Sequence, residues 1–224
     1  MNKNIAGLLI ITTLALTIER NNAMHHYTDE ITWFKAQLSN SMLSTKLTTI
    51  RLIIADVDGA LTDNMLYQQE NGAEIKGYSV QDGFGITHAL KAGLQVAIVT
   101  GKSSPIIQER ARKLGIPEEL CRLGMDKDKK AAVQEIQKIL GITKEETVIF
   151  GDDVLDIGAR SEAAVFACPL NALFYVRSGA DLVVPRTGGD GAFRMLLDLI
   201  LFLQNKHFAT EIIKQALESH EKTL

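Results

Sequence analysis

An apolar run that ends in two closely spaced aspartates constrains this chain more than any other feature of its sequence. Ile53, Ile54 and Ala55 are followed directly by Asp56-Val57-Asp58-Gly59. A short apolar run bounded by turn residues predicts a buried parallel strand, and ligands bind beyond the carboxyl ends of such strands. Asp56 and Asp58 can face one site only if a positive partner offsets their repulsion. We therefore predict a site for a divalent cation, with Mg²⁺ as the natural candidate, although a turn or capping pair is the simpler alternative.

Three later segments favour the ligand site, because each places a polar residue after an apolar run or at a helix start. The run Leu94–Val99 ends in Thr100-Gly101, and the run Thr147–Phe150 is followed by three carboxylates, those of Asp152, Asp153 and Asp156. Between them, Lys127–Lys130 opens a helical pattern, and a helix N-terminus with a lysine suits a phosphate group. Taken alone, a charge run of this kind is more often a solvated helix start.

The order of these motifs resembles that of the haloacid dehalogenase (HAD) superfamily of phosphohydrolases. The motifs are Asp-x-Asp-Gly at 56–59, Thr-Gly at 100–101, a lysine at 129 and Gly-Asp-Asp-x-x-Asp at 151–156. Within the superfamily, the chain resembles the small phosphatases that act on 3-deoxy-D-manno-octulosonate 8-phosphate, over about residues 50–205. The segments that carry this closer resemblance are 56–63, 71–76, 80–85 and 188–194.

The resemblance implies a catalytic role for each motif. Asp56 is then the nucleophile that forms an aspartyl-phosphate, and Asp58 is the general acid and base. Thr100 and Lys129 hold the phosphoryl oxygens. The implied Mg²⁺ ligands are the Asp56 carboxylate, the Asp58 backbone carbonyl and Asp152. Asp153 and Asp156 are implied to orient the metal without direct coordination or through water.

The same resemblance implies the substrate and the residues that contact it. We expect hydrolysis of 3-deoxy-D-manno-octulosonate 8-phosphate in lipopolysaccharide inner-core biosynthesis, with a nine-carbon keto sugar acid 9-phosphate as the alternative substrate. The expected contacts, in addition to Asp58 and Lys129, are Ser79, Val80, Gln81, Asp82, Gly83, Lys102 and Arg110. The sequence departs from the commonest pattern at Gln81, Thr87, Lys102 and Asp190, where arginine is frequent, and at Met195, where glutamate is usual. Lysine and arginine do not bind a carboxylate equally well.

Strand-like and helical patterns alternate along the chain, which predicts an α/β fold with a doubly wound parallel sheet. The predicted strands are 51–56, 94–100, 120–123, 147–151, 164–168 and 181–184, and the predicted helices are 83–92, 103–114, 128–140, 155–163, 171–177 and 191–203. Asn71-Gly72 predicts a β-hairpin with arms at 65–67 and 77–80. In the resembled family such a hairpin replaces a cap domain and joins subunits, which implies a homotetramer.

We predict three parts: an N-terminal extension at 1–48, the phosphatase domain at 49–205 and a C-terminal surface helix at 206–224. The apolar run at 5–18 has the look of a signal-peptide core but is too short to span a bilayer comfortably and lacks a small-x-small cleavage site. Met24 is an alternative start, and a capped helix is expected over 28–33. We expect a cytoplasmic protein without stable membrane association.

Composition narrows the function classes further. A net charge of −3 without a basic stripe argues against nucleic-acid binding. Two cysteines, Cys121 and Cys168, are too few for a disulfide framework and suit a reducing compartment. Two rival classes remain, a phospho-accepting receiver domain and a catalytically idle oligomerisation module. The acidic pair of a receiver is adjacent, unlike Asp56 and Asp58, and retention of every motif residue argues against an idle module.

Overall fold

The computed structural model describes residues 30–221, which form six strands of one parallel sheet, a small hairpin and the helices between them. The sheet strands are β1 (Leu52–Ala55), β4 (Gln95–Thr100), β5 (Cys121–Leu123), β6 (Thr147–Phe150), β7 (Val165–Pro169) and β8 (Leu182–Val184), and the hairpin strands are β2 (Tyr67–Gln68) and β3 (Glu74–Ile75). The helices are α1 (30–39), α2 (Ser41–Thr48), α3 (Val80–Lys91), α4 (Pro105–Leu114), α5 (Lys129–Leu140), α6 (Val154–Ile157), α7 (Phe174–Gly179), α8 (Ala192–Leu203) and α9 (Thr210–Glu221).

The strand order β5-β4-β1-β6-β7-β8 confirms the predicted doubly wound sheet. From β1 the chain winds outward on one side through β4 and β5 and on the other through β6, β7 and β8, and all neighbouring strands are parallel. β1 is therefore the point at which the order reverses, where ligands bind in sheets of this kind. Asp56 follows β1 directly, so the topology places it at this position.

The central strands are apolar because the sheet buries them on both faces. Every residue of β1 and β6 is buried, and Ala55 lies opposite Ile98 on one side and Phe150 on the other. Helix α8 packs against α3 and contributes seven buried residues, from Ala192 to Leu201. This core fixes the positions of the carboxyl ends of β1, β4 and β6.

The hairpin forms around Asn71-Gly72 as predicted, but its arms were predicted at the wrong residues. The strands are Tyr67–Gln68 and Glu74–Ile75, and Gly72 has a φ of +82°. The prediction of a second arm at 77–80 was wrong, because the chain there already leads into helix α3. The Ser79 hydroxyl accepts a hydrogen bond from the Asp82 backbone N–H at 3.3 Å. This N-cap starts helix α3 at Val80, three residues earlier than expected.

Two predicted helices differ from the structure for local reasons. The helix expected over 155–163 is the single turn α6 followed by a 3₁₀ turn at Arg160–Glu162, with Gly158 at the break. The helix expected over 171–177 starts at Phe174 instead, because the Asn171 side chain holds the turn. Its amide donates to the Gly59 carbonyl at 3.0 Å and accepts from the Gly188 N–H at 2.6 Å.

Two compact units are distinguished within the described chain. One spans Asn40–Thr210 and contains the whole sheet and the hairpin; the other contains helix α1 and the chain from Glu211. The predicted domain boundaries after residues 48 and 205 remain predictions.

Several predictions for the N-terminal part lie outside the described residues: the apolar run at 5–18, the alternative start at Met24 and the expected cap at Thr28. Within residues 30–221, no helix is both long and apolar enough to cross a membrane.

Candidate active site

The carboxyl ends of three neighbouring strands bring the predicted motif residues to one edge of the sheet. Asp56 follows β1, Thr100 ends β4 and Asp152 lies two residues after β6. Each of these three side chains is buried. The Asp56 N–H donates to the Phe150 carbonyl at 2.9 Å, so sheet hydrogen bonding continues to the first motif residue and fixes its backbone.

Glycines in the motifs allow carboxylates to approach the backbone closely. Gly59 has a φ of +88°, and a β-carbon there would lie 2.0 Å from Asp152 Oδ2. At Gly151, a β-carbon would lie 2.1 Å from the carboxyl carbon of Asp156. Glycine is thus required at both positions by the carboxylates that pack against them.

Three carboxylates and one lysine form the centre of the site. Asp56, Asp152 and Asp156 each bring an oxygen within 4.8 Å of the others, and all three are buried. Lys129, the first residue of α5, is also buried, and its Nζ lies 2.7 Å from Asp56 Oδ1 and 2.6 Å from Asp156 Oδ1. We call Asp56, Asp152, Asp156 and Lys129 the carboxylate cluster.

Burial and mutual repulsion change the protonation of the cluster. Desolvation, together with the charge of Asp156, raises the pKa of Asp56 to about 7, although Lys129 opposes the shift. Desolvation and the neighbouring carboxylates likewise raise the pKa of Asp152 to about 7. Burial alone would lower the pKa of Lys129, but Asp56 and Asp156 outweigh it and raise that pKa. One lysine therefore does not balance three carboxylates in this pocket.

The cluster fits a hard divalent cation. Asp152 Oδ1 is buried and has no hydrogen-bond partner within residues 30–221, so it can serve as a metal ligand. Asp156 is more fully engaged, because its Oδ2 accepts from the backbone N–H groups of Asp152 and Asp153 at 3.1 Å each and its Oδ1 accepts from Lys129. Asp153 is exposed and caps α6. Oxygen-rich, anionic sites of this kind suit Mg²⁺.

Lys76, which the sequence reasoning did not select, contacts the second aspartate of the first motif. Its ammonium forms an ion pair with Asp58 Oδ1, and its side chain is only 3% exposed, whereas that of Asp58 is 33% exposed. A lysine buried to this degree is unusual unless it is paired. The sequence signal for Lys76 was its place in segment 71–76, one of the segments that carry the closer family resemblance.

The residues after β4 contact the hairpin through an ion pair. Thr100 Oγ1 accepts from the Lys102 N–H at 3.4 Å. The Lys102 ammonium lies 2.7 Å from Glu74 Oε1, and the two side chains are 33% and 25% exposed. The predicted substrate residue Lys102 is therefore paired with a hairpin carboxylate that the sequence reasoning also missed.

The structure brings together part of the remaining predicted substrate set. Ser79, Asp82, Gly83 and Arg110 line one narrow cavity with Tyr78 and Leu61. Arg110 Nη2 donates to the Ser79 carbonyl at 3.4 Å, and its guanidinium lies 5.5 Å from the centre of the Tyr78 ring. Burial and the charge of Asp58 raise the pKa of Tyr78 to about 12, while Arg110 acts in the opposite direction.

Two of the predicted substrate residues, Asp82 and Gln81, are hydrogen-bonded within the fold, and a third, Val80, is largely exposed. Asp82 is 3% exposed and its Oδ1 accepts from the Arg194 N–H at 2.7 Å, so it caps the first turn of α8. Burial raises the pKa of Asp82 to about 6. Val80 is 84% exposed, and the Gln81 amide oxygen accepts from Arg186 at 3.2 Å.

Comparisons with known proteins show which family the chain is similar to. A family model described as haloacid dehalogenase-like hydrolase matches residues 83–163. The 3-deoxy-D-manno-octulosonate 8-phosphate phosphatase KdsC of Haemophilus influenzae is 39% identical over 164 residues, which cover 73% of this chain and 89% of that protein.

Solved structures extend the similarity to three dimensions. The 3-deoxy-D-manno-octulosonate 8-phosphate phosphatase from Moraxella catarrhalis, in complex with a magnesium ion, a phosphate ion and a KDO molecule, has a TM-score of 0.72 and 34% identity, over 79% of this chain and 98% of that one. The cobalt-bound phosphatase YrbI from Haemophilus influenzae has a TM-score of 0.70 and 39% identity, over 76% and 99% of the two chains.

Proposed function

The chain belongs to the haloacid dehalogenase superfamily and, within it, to the family of 3-deoxy-D-manno-octulosonate 8-phosphate phosphatases, and we propose that it hydrolyses that eight-carbon sugar acid phosphate. The observation that carries the proposal is the carboxylate cluster at the switch point of the sheet, with Asp58 beside it. A phosphatase of this type needs a nucleophile, a separate acid and base, and positive charge around the phosphoryl group. Asp56, Asp58 and Lys129 supply these three functions within one edge of the sheet.

Asp56 is the proposed nucleophile. An Asp56 carboxylate oxygen attacks phosphorus, the bond between phosphorus and the sugar oxygen breaks, and Asp58 gives its proton to the departing alkoxide. The product is an aspartyl-phosphate on Asp56. Lys129 and Thr100 bind the non-bridging oxygens and neutralise their charge, which is the dominant requirement of phosphoryl transfer.

In the second step, water hydrolyses the aspartyl-phosphate, and the same side chains assist. Asp58, now ionised, takes a proton from a water molecule whose oxygen attacks phosphorus. The bond between phosphorus and the Asp56 oxygen breaks, which releases inorganic phosphate and restores both carboxyl groups. Asp58 is suited to both steps because it is partly exposed and does not belong to the buried cluster.

Mg²⁺ is the cofactor of this chemistry, and the Asp56 carboxylate, the Asp58 carbonyl and Asp152 would hold it. When bound, it reduces the repulsion between the nucleophile and the anionic phosphate. Asp156 and Asp153 would orient these ligands, since Asp156 is already engaged by Lys129 and two backbone N–H groups.

Assembly and cellular context belong to the same proposal. We propose a homotetramer that the hairpin helps to form, supported by apolar hairpin side chains that are at least half exposed: Met65, Leu66 and Ile75. We place the reaction in lipopolysaccharide inner-core biosynthesis and in the cytoplasm; the free thiols of Cys121 and Cys168 suit that compartment.

The test is phosphate release from a panel of phosphosugars that includes the eight-carbon and nine-carbon keto acid phosphates, with Mg²⁺ or with EDTA. We expect metal-dependent release with strong preference for the eight-carbon substrate. Preference for the nine-carbon compound would reassign the substrate but keep the chemistry. No release from any compound, by protein whose fold is verified by circular dichroism, would contradict the proposal and favour a regulatory or structural role.

A further inference from the structure

The hairpin contributes two charged side chains to the site from positions two residues apart. Side chains at i and i+2 of an extended segment share a face, and both Glu74 and Lys76 reach residues at the carboxyl edge of the sheet. Lys76 pairs with Asp58 and is nearly completely buried, while Glu74 pairs with Lys102. Lys76 therefore anchors the arm, and the anchor holds the Glu74 carboxylate at Lys102.

Lys102 is placed to meet an anionic ligand. It lies two residues beyond Thr100 at the end of β4, its backbone N–H donates to the Thr100 hydroxyl at 3.4 Å, and its side chain is one-third exposed. The Lys102 ammonium is already paired with Glu74, whose Oε1 lies 2.7 Å from Nζ. A ligand carboxylate that binds the ammonium must displace the Glu74 carboxylate or approach beside it, and the negative charge of Glu74 opposes both.

We infer that Glu74 is an internal competitor for Lys102, which lowers the affinity of the site for the carboxylate of its substrate and product. The inference rests on the proposed function, because it takes the substrate to be a phosphorylated sugar acid. Both substrate and product carry the carboxylate, so the return of Glu74 to Lys102 favours release of the product. A phosphosugar without a carboxylate leaves the pair intact and is insensitive to Glu74.

The size of the effect follows from the exposure of the pair. Ion pairs that are accessible to water are modest, and their loss changes an equilibrium constant by about two- to fivefold. Glu74→Gln keeps the shape of the side chain and removes its charge. We expect KM for the eight-carbon keto acid phosphate, and Kd for the phosphate-free keto acid measured by calorimetry, each to fall by about two- to fivefold, with kcat unchanged or lower.

Three comparisons separate this effect from others. Glu70→Gln removes the same charge from the exposed turn of the hairpin and should leave both constants unchanged, so it controls for general electrostatics. KM for mannose 6-phosphate, which has no carboxylate, should be the same in wild type and Glu74→Gln. In a Lys102→Gln background, Glu74→Gln should have no further effect on either constant.

A measurement independent of catalysis tests the pair itself. The rate at which acetic anhydride modifies Lys102, followed by mass spectrometry of the proteolytic peptide, should rise in Glu74→Gln and not in Glu70→Gln. An unchanged KM and product Kd, an equal change for both phosphosugars, or an unchanged acetylation rate would each overturn the inference. Failure of the proposed function would be distinguishable, since wild-type protein would then release no phosphate from the keto acid phosphates.

Discussion

The carboxylate cluster and the hairpin contact the same site but are held in opposite ways. The cluster follows directly from the ends of β1 and β6, its four side chains are buried, and glycines allow its carboxylates to pack against backbone. The hairpin has strands of two residues each and reaches the site through two ion pairs, Lys76–Asp58 and Glu74–Lys102. The Lys76 side chain is buried, whereas the other three side chains are a quarter to a third exposed. The first region therefore holds the proposed nucleophile and the metal ligands in fixed geometry, while the second orients Asp58 and adjusts affinity.

Substitution of the proposed nucleophile, Asp56, should give the largest effect. Asp56→Asn keeps the size of the side chain but cannot form the aspartyl-phosphate, so we expect kcat to fall by roughly 10⁴-fold or more. The fold should persist, because the substitution removes a charge that is costly to bury. Steady-state phosphate release, with circular dichroism as the control, measures both. Activity above a hundredth of wild type would exclude Asp56 as nucleophile.

Removal of the buried cation should give the largest change in stability. Lys129→Met leaves three buried carboxylates without their ammonium, and such a loss costs about 3 kcal/mol in the free energy of unfolding of metal-free protein. The neighbouring Lys130→Met is the matched control, since Lys130 is half exposed in its pair with Glu162 and its loss should cost less than about 1 kcal/mol. Urea unfolding in EDTA measures both variants. Equal effects would mean that burial does not distinguish the two lysines.

The pH dependence of stability should report the same buried charge. Burial raises the pKa of Asp56 and Asp152 from 3.8 to about 7. Between about pH 4 and 7 the unfolded chain loses these protons while the folded, metal-free protein keeps them. The folded state therefore binds more protons, and the free energy of unfolding falls as pH rises through this window.

Mg²⁺ and one substitution isolate this contribution. Because ligands must be deprotonated to bind metal, Mg²⁺ should stabilise the protein strongly at pH 8 and weakly at pH 5. Asp152→Asn removes one of the two titrating groups, so the fall in stability between pH 4 and 7 should be smaller than in wild type. Thermal unfolding at a series of pH values, with and without Mg²⁺, tests both statements. A slope unchanged by Asp152→Asn would show that Asp152 does not carry the shifted pKa.

The same contrast explains how far the sequence alone predicted the molecule. Asp56, Thr100 and Asp152 were placed correctly at strand ends, because apolar runs bounded by turn residues define buried strands locally. The helices predicted to end at residues 114 and 140 do end there, because Gly115 and Gly141 follow them in the αL conformation.

Features that depend on distant side chains were missed. The delayed start of α7 follows from Asn171, whose partners are 112 and 17 residues away. The pairing of Lys76 with Asp58 and of Glu74 with Lys102 depends on where the hairpin lies relative to the sheet, which no local pattern encodes. The contact of the Asp82 carboxylate with the first turn of α8 also joins residues 112 apart, and the prediction that Asp82 contacts substrate stays a prediction.

Substitution of the hairpin lysine should give the smallest effect on stability while still lowering activity. Lys76→Met leaves Asp58 unpaired, but that carboxylate is one-third exposed and water can solvate it, so we expect a loss below about 1 kcal/mol in the free energy of unfolding. Without Lys76 the Asp58 side chain is less well oriented, and kcat should fall by about tenfold. Lys91→Met, on the exposed last turn of α3, is the control and should match wild type in both measurements. If Lys76→Met destabilised the protein as strongly as Lys129→Met, the hairpin would be held as firmly as the carboxylate cluster, and the contrast between the two regions would be lost.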